Sequence, residues 1–327
     1  MSLDTETGRD RYFAARDREL SMLLDPESGR LAADLAERIA CPLCGSAHEE
    51  RLFTKQGFDF VRCSECGLVY VNPQLKESVV LEEYESAETS DLWFDVLMSP
   101  RQEELDREKF LGILDLLDTH RGEGRMLDVG CSTGLFLGLA RARGWAGVGI
   151  ELAPRARAYA REERGLEVLD VPLARAGLEA ETFDAVALLS VLEHTNDPHE
   201  VLRDCARVLR PGGALYVIVP NVESLACRVL RDRARTFDGR NHLVYFSAHT
   251  LTRLLESAGF DAERLTTTVS SLEPVLECLA GEQPYSGADL GSDALAQWVL
   301  ARRDEIASAI EEVGLGYKLH CLAVRRG

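Results

Sequence analysis

The 327-residue chain contains no apolar run approaching the ~18 residues that a membrane-spanning helix needs. Its first ten residues, Met1 to Asp10, are polar and lack the apolar core of a secretory signal. Together these absences predict a cytoplasmic protein with no membrane partner. Positive charge is also scarce. Lys and Arg number 37 against 55 Asp and Glu, for a formal net charge of −18. The deficit is uneven, with 14 against 26 in residues 1–122 and 23 against 29 in the remainder. A phosphate backbone repels such a surface, which argues against nucleic acid and anionic lipid as partners. No internal repeat or low-complexity run is present. The apolar fraction of 46% and charged fraction of 28% are those of a globular chain, long enough for one large domain and a small one.

Nine cysteines in a reducing compartment do not imply a disulfide framework, so their clustering matters more than their number. Cys131, Cys205, Cys227, Cys278 and Cys321 are scattered. The other four form Cys41-Pro-Leu-Cys44 and Cys63-Ser-Glu-Cys66, with 18 residues between the pairs. Gly45 and Gly67 follow the pairs and let backbone amides turn toward thiolate sulfur. Two such knuckles supply four thiolates in a tetrahedron, the geometry of structural Zn²⁺. A redox role would need only one pair. Four thiolates close the site, so His48 is expected at the surface. Phe53, Phe58, Phe60, Val61, Leu68, Val69 and Tyr70 supply short strands for a zinc ribbon over residues 41–75.

Residues 1–40 read as a helical lead-in without chemistry, with helical periodicity in 11–24 and 31–39 and a break at Asp25-Pro26. Residues 76–122 read as a helical connector. From Met126 the chain alternates. Apolar runs at 126–129, 147–150, 166–169, 185–189 and 214–219 predict strands, and periodic stretches at 135–143, 154–164 and 199–209 predict helices between them. Such alternation predicts an α/β domain, doubly wound, with helices on both faces of a parallel sheet. Beyond Pro220, residues 249–258 read as a helix and 260–269 and 319–325 as strands. Helical stretches at 272–280 and 293–313 form an insertion at about 271–316 within a domain spanning 123–327. Trp93, Trp145 and Trp298 read as packing residues.

Gly130 and Gly134 bracket a tight turn after the first strand of that sheet, a backbone that a ligand can approach over a helix N-terminus. Asp128 lies beside the turn, Glu151 ends the second strand and Asp170 the third. Glu151 follows Gly130 at the interval where a carboxylate accepts from ribose hydroxyls. The turn carries no Lys or Arg to neutralise a pyrophosphate, and no Gly-Lys-Ser/Thr follows, which excludes a P-loop.

Leu127-Asp-Val-Gly-Cys-Ser-Thr-Gly134, Val148-Gly-Ile-Glu151, the run Phe183 to His194 with Asp197-Pro198, and Leu209-Arg-Pro-Gly-Gly213 resemble the class I S-adenosylmethionine-dependent methyltransferases. The resemblance covers roughly residues 120–265. It implies a seven-stranded Rossmann-like sheet whose last two strands, 260–269 and 319–325, are an antiparallel pair. By position, Asp128, Gly130 and Gly134 would border the methionine part of the cofactor, Glu151 its ribose and Asp170 its adenine. Ser132, in the same turn, stands where the family usually has glycine. The ribbon, followed by Tyr84, resembles the amino-terminal region of methyltransferases from sugar and natural-product pathways. Some of those methylate a carbon of a nucleotide-linked deoxysugar, and this chain lacks their large C-terminal domain.

Methyl transfer from a sulfonium is an in-line displacement, helped by alignment and by a base for the acceptor's proton. His194 follows the fourth strand and is either that base or a scaffold residue shaping the pocket with Glu193. His242, in Asn241-His-Leu-Val-Tyr245, is a second choice on the segment expected to roof the acceptor site. Tyr84 closes the site from the ribbon side or else belongs to the core. Arg228, Arg231, Arg233, Arg235 and Arg240 form a basic island that would either pair with acceptor phosphates or solvate a helix face. The reading is a zinc-ribbon methyltransferase of a small molecule, in class a sugar or natural-product intermediate. One rival is an RNA methyltransferase with the ribbon as clamp; against it, residues 41–75 carry three Arg/Lys and four Asp/Glu. The other is a noncatalytic protein that holds S-adenosylmethionine.

Overall fold

A computed structural model describes residues 7–86 and 88–327, so the first six residues of the expected lead-in lie outside the described residues. The chain begins with helix α1 (Arg9–Met22). The second helix expected over 31–39 does not form. Its backbone is engaged by neighbouring segments instead: Leu31 N–H donates to Gly57 O, Ala32 N–H to Leu23 O and Ile39 N–H to Asn72 Oδ1. A short strand, β1 (Ala36–Glu37), emerges from this run. The ribbon supplies β2 (Glu49–Lys55), β3 (Phe58–Cys63), β4 (Val69–Val71) and β5 (Gln74–Leu75), and β5 pairs back onto β1.

The connector is helical, as its periodicity predicts: α2 (Glu77–Ser86), α3 (Glu88–Leu97) and α4 (Pro100–Leu117). Pro100 opens α4, where its missing N–H has no intrahelical partner to lose. Ile113, Leu114 and Leu117 on α4 are buried in one cluster with Phe136, Leu137 and Trp145.

The large sheet then begins, built from β6 (Arg125–Val129), α5 (Leu135–Ala142), β7 (Ala146–Ile150), α6 (Pro154–Glu162), β8 (Glu167–Leu169), β9 (Phe183–Leu189), α7 (Pro198–Val208) and β10 (Leu209–Pro220). It is followed by α8 (Leu225–Leu230), β11 (Val244–Tyr245), α9 (Ala248–Ser257) and β12 (Phe260–Thr268). Helices α10 (Glu273–Leu279), α11 (Ala294–Leu300) and α12 (Arg303–Glu312) precede the last strand, β13 (Lys318–Arg325). Sheet order is β12-β13-β10-β9-β6-β7-β8, with β13 antiparallel to both neighbours and the other pairs parallel. This is the seven-stranded doubly wound α/β fold. The chain leaves β6 in one direction for β7 and β8 and returns on its other side with β9. Strand order therefore reverses at β6, and the crevice beyond Val129 is where such sheets bind ligands.

Two departures from the sequence reading concern packing. Trp145 is buried and donates to Asp118 Oδ1 at 2.8 Å, as a packing tryptophan should, but Trp93 and Trp298 are 38% and 52% exposed. Each sits on the outer face of its helix, Trp93 against the Tyr12 ring and Trp298 under the Arg302 guanidinium. The second concerns β11, which leaves the large sheet's side of the molecule and pairs with β4, Val244 opposite Tyr70 and Tyr245 opposite Val69. The ribbon sheet thus has four strands, β11-β4-β3-β2, and the segment after β10 is one of them. Phe53, Phe60, Phe237 and Tyr245 seal this junction with ring centroids 4.7–5.6 Å apart. Among the described residues, no helix is long and apolar enough to cross a membrane.

Candidate active site

The glycine turn hangs from its neighbouring strand. The N–H groups of Gly130 and Cys131 both donate to Ile150 O, at 2.8 and 2.9 Å, and Gly134 N–H closes the turn on Cys131 O. Gly130 and Gly134 have φ of +74° and +73°, a region that costs a side-chain-bearing residue free energy. Neither has room for a side chain: a Cβ at Gly130 would stand 2.8 Å from Val191 Cγ2, and one at Gly134 2.4 Å from Leu166 Cδ1. Ser132, between them, has φ +51° and bears that backbone strain without being glycine.

The carboxylates take different roles around this turn. Glu151 is 8% exposed, and its two oxygens accept from Ser132 N–H at 2.8 Å and Ala153 N–H at 2.7 Å. It fixes the turn to β7 while each oxygen keeps a lone pair for a hydroxyl donor. Asp128 is 1% exposed, and nothing among the described residues donates to its Oδ1. Burial, reinforced by the Glu151 charge, raises its pKa well above the usual carboxylate range. A buried carboxylate short of donors suits a ligand bearing positive charge, so the cradle fits S-adenosylmethionine, with its ammonium and sulfonium groups. Asp170 follows β8, half exposed and 3.5 Å from Arg161, at the carboxyl edge of the sheet beside the same crevice.

His194 and His242, which sequence reasoning placed on two separate segments, come together. The His194 and His242 rings meet edge to face with centroids 4.8 Å apart. His194 Nδ1 lies 2.8 Å from Asn241 O, and burial pushes its pKa down to about 4. His242 Nδ1 lies 2.9 Å from Thr236 O. Burial raises the Tyr84 phenol, with the Glu151 and Glu193 carboxylates adding to the rise.

Several participants carried no sequence signal. Asp238 accepts from the N–H groups of Asn241 and His242. Burial alone would raise its pKa, but the Arg16 guanidinium and the N–H groups of His242 and Asn241 hold it below the usual carboxylate range. Tyr12 on α1, a helix read as having no chemistry, receives a hydrogen bond from the Asn241 amide at 3.1 Å. Lys318, at the start of β13, reaches to 3.9 Å from Glu193 Oε1. None of these has a motif, because each is brought in by a distant segment.

The basic island disperses. Arg240 is 2% exposed and paired internally with Glu19 and Glu83, so it is not free for an acceptor phosphate. Arg233 donates to Cys278 Sγ, and Arg235 lies over the Phe13 and Tyr285 rings. Their spacing in sequence does not place these side chains on one face.

In the ribbon, Cys41, Cys44, Cys63 and Cys66 converge, with Sγ–Sγ distances of 3.5 Å for Cys41–Cys66 and Cys44–Cys63. A tetrahedron of ~2.3 Å metal–sulfur bonds has edges of ~3.8 Å, so the donor set fits Zn²⁺. Burial opposes ionisation of Cys63, but the N–H groups of Cys66 and Glu65 hold its pKa down to about 7. His48 lies away from the thiols, exposed and 3.6 Å from Glu65.

Buried negative charge at a switch point, with no cation in the turn, suits a cationic nucleoside. A family model described as a methyltransferase domain matches residues 101–265, half the chain, and the chain belongs to that family. Curated relatives include the ubiquinone biosynthesis O-methyltransferase of Azoarcus sp. strain BH72, 38% identical over 112 residues, which are 32% of this chain and 48% of that protein. The protein of the same name from Xanthomonas oryzae pv. oryzae strain PXO99A is 36% identical over 107 residues, 30% of this chain and 43% of the relative. The chain thus spans less than half the length of these relatives. The structure of magnesium protoporphyrin IX methyltransferase from Synechocystis PCC 6803 with bound SAH shares the fold: TM-score 0.52 at 14% identity, covering 76% of this chain and 100% of that one.

Proposed function

We propose that the chain transfers the methyl group of S-adenosylmethionine to a hydroxyl of a small-molecule acceptor, in class a sugar or natural-product intermediate. The meeting of His194, which follows β9, with His242 carries this reading. The relatives named as O-methyltransferases support oxygen as the acceptor atom. In this reading Gly130, Ser132 and Gly134 pass under the methionine part, Asp128 faces its positive charge, Glu151 accepts from the ribose hydroxyls and Asp170 from the adenine amino group. The bound cofactor supplies an electrophilic methyl on a sulfonium. The chain's own part is to align an oxygen with it and remove that oxygen's proton. Tyr84 and the two imidazoles line the chamber in which this happens. Residues 41–75 form a ribbon closed by one structural Zn²⁺ on four thiolates. Residues 1–40 and 76–122 brace the domain of 123–327, and the helical insertion at about 271–316 lies within it.

Calorimetry tests the cofactor half. S-adenosylmethionine should bind, Glu151→Ala should weaken it at least tenfold, and NAD should be inert; tight NAD binding overturns the assignment. A labelled-methyl screen of hydroxylated sugars and aromatic intermediates tests the acceptor half. With an acceptor found, His194→Ala and His242→Ala should each lower turnover more than cofactor affinity. Unchanged turnover in both would remove the histidines from the reaction.

A further inference from the structure

We propose that Glu193, His194 and His242 bind a divalent transition-metal ion, separate from the four-thiolate cluster and placed to hold the acceptor's hydroxyl. The inference rests on the reading that this chamber receives the acceptor.

The tautomers come first. Asn241 O and Thr236 O can only accept, so Nδ1 of His194 and Nδ1 of His242 each carry the proton and donate. Nε2 is left as a lone-pair nitrogen on both rings. A ring fixed through one N–H to a carbonyl is how metal-ligating histidines are oriented. The second observation is independent. Glu193 is 0% exposed, and among the described residues nothing donates to either of its carboxylate oxygens. The cation nearest to it, the Lys318 ammonium, donates to Ser190 Oγ at 3.2 Å and stops 3.9 Å from Glu193 Oε1. Lys318 balances part of the field and occupies neither oxygen. A carboxylate so deeply buried without a donor is unfavourable unless a cation reaches it.

A ring nitrogen of each histidine and a Glu193 oxygen lie within 4.8 Å of one another. Donors around an ion with bonds of ~2.1 Å stand ~3.0–3.4 Å apart, so the three side chains draw together on loading. Two neutral imidazoles and one carboxylate suit Mn²⁺, Fe²⁺, Co²⁺ or Zn²⁺; Mg²⁺ prefers all-oxygen surroundings. Three protein ligands leave open positions. A hydroxyl taken there loses its proton to solvent more readily, because the ion lowers its pKa. The freed oxygen pair forms the O–CH₃ bond as the S–CH₃ bond breaks. That bond's electrons stay on sulfur, converting sulfonium to thioether.

The test is a titration of Mn²⁺ into the full chain, followed by the loss of the free-ion electron paramagnetic resonance signal. Mn²⁺ is chosen because thiolates compete poorly for it. One Mn²⁺ per chain is expected, weakened at least tenfold by E193Q and by H242A and unchanged by H48A, at an exposed histidine outside both clusters. Thermal melting identifies any variant that fails to fold, and the remaining one then decides. Absence of Mn²⁺ binding, or equal binding in the folded variants, overturns the site. Calorimetry with S-adenosylmethionine on the same wild-type sample separates the two readings: cofactor binding without Mn²⁺ binding removes the metal site alone, whereas loss of cofactor binding removes the methyltransferase reading beneath it.

Discussion

The Arg240 guanidinium holds the Glu19 carboxylate of α1 at 2.7 Å, and its Nε donates to Glu83 of α2 at 2.8 Å. One buried cation thus ties the first helix and the connector to the segment that carries His242. Glu19 is oriented in turn by the Thr89 N–H and hydroxyl. Removing one member of a buried ion pair strands the other charge, which typically costs about 3–5 kcal/mol. Arg240→Ala is expected to lose stability of that order in chemical denaturation and to expose α1 to proteolysis. A loss below about 1 kcal/mol, within the range of a surface pair, would show that the network does not anchor the helix.

The glycine turn makes opposite predictions two residues apart. Gly134→Ala puts a Cβ in the left-handed region and 2.4 Å from Leu166, so it should destabilise the fold and weaken S-adenosylmethionine at least tenfold. Ser132→Gly relieves a strained φ of +51° and keeps the N–H that donates to Glu151. It should leave cofactor affinity within about twofold and gain a few tenths of a kcal/mol to about 1 kcal/mol of stability. Thermal melts and calorimetry on the two variants check both signs, and a cofactor-binding defect in Ser132→Gly would implicate the serine hydroxyl directly.

Because β11 is the edge strand of the ribbon sheet, the proposed zinc has a consequence at the acceptor site. Chelation, or Cys63→Ser, should melt the ribbon and release Val244–Tyr245 from β4. His242, two residues before that strand, would then lose its position. Turnover should fall sharply while S-adenosylmethionine, held on the far side by β6 and β7, still binds. Circular dichroism and calorimetry before and after chelation test this. Equal loss of cofactor binding and turnover would mean that the ribbon supports the whole fold and has no selective effect on the acceptor side.

The sheet was legible because its five parallel strands are short apolar runs, and the candidate cofactor cradle because its parts lie in consecutive β–α connections. The acceptor chamber was legible only in pieces. His194 and His242 stood out by position, yet their meeting depends on β11 pairing with β4, a long-range choice that two residues, Val244 and Tyr245, cannot announce. Tyr12 and Lys318 come from opposite ends of the chain. Residues 31–39 show the converse failure: their spacing is helical, and tertiary hydrogen bonds to Gly57, Leu23 and Asn72 override it. Arg240 failed for a similar reason, since the burial of a cation is decided by its carboxylate partners and not by its neighbours in sequence.

Lys55, at the end of β2, offers a pH test of how tightly the ribbon packs on the segment after α8. Its ammonium donates to Ala234 O at 2.9 Å, and burial pushes its pKa down to about 8, opposed by the Asp238 charge. An unfolded lysine titrates near 10.4, so between about pH 8 and 10.4 the unfolded chain binds more protons than the native one. Stability from this group therefore rises with pH through that window, and at neutral pH the buried charge opposes folding. Lys55→Met removes the titration. The difference in unfolding free energy, wild type minus variant, should be flat below about pH 7 and climb between about pH 8 and 10 in urea titrations. Subtracting the variant cancels the tyrosines and cysteines that titrate in the same range. A difference that stays level through pH 10 would mean that Lys55 remains solvated and that the ribbon does not close over Ala234.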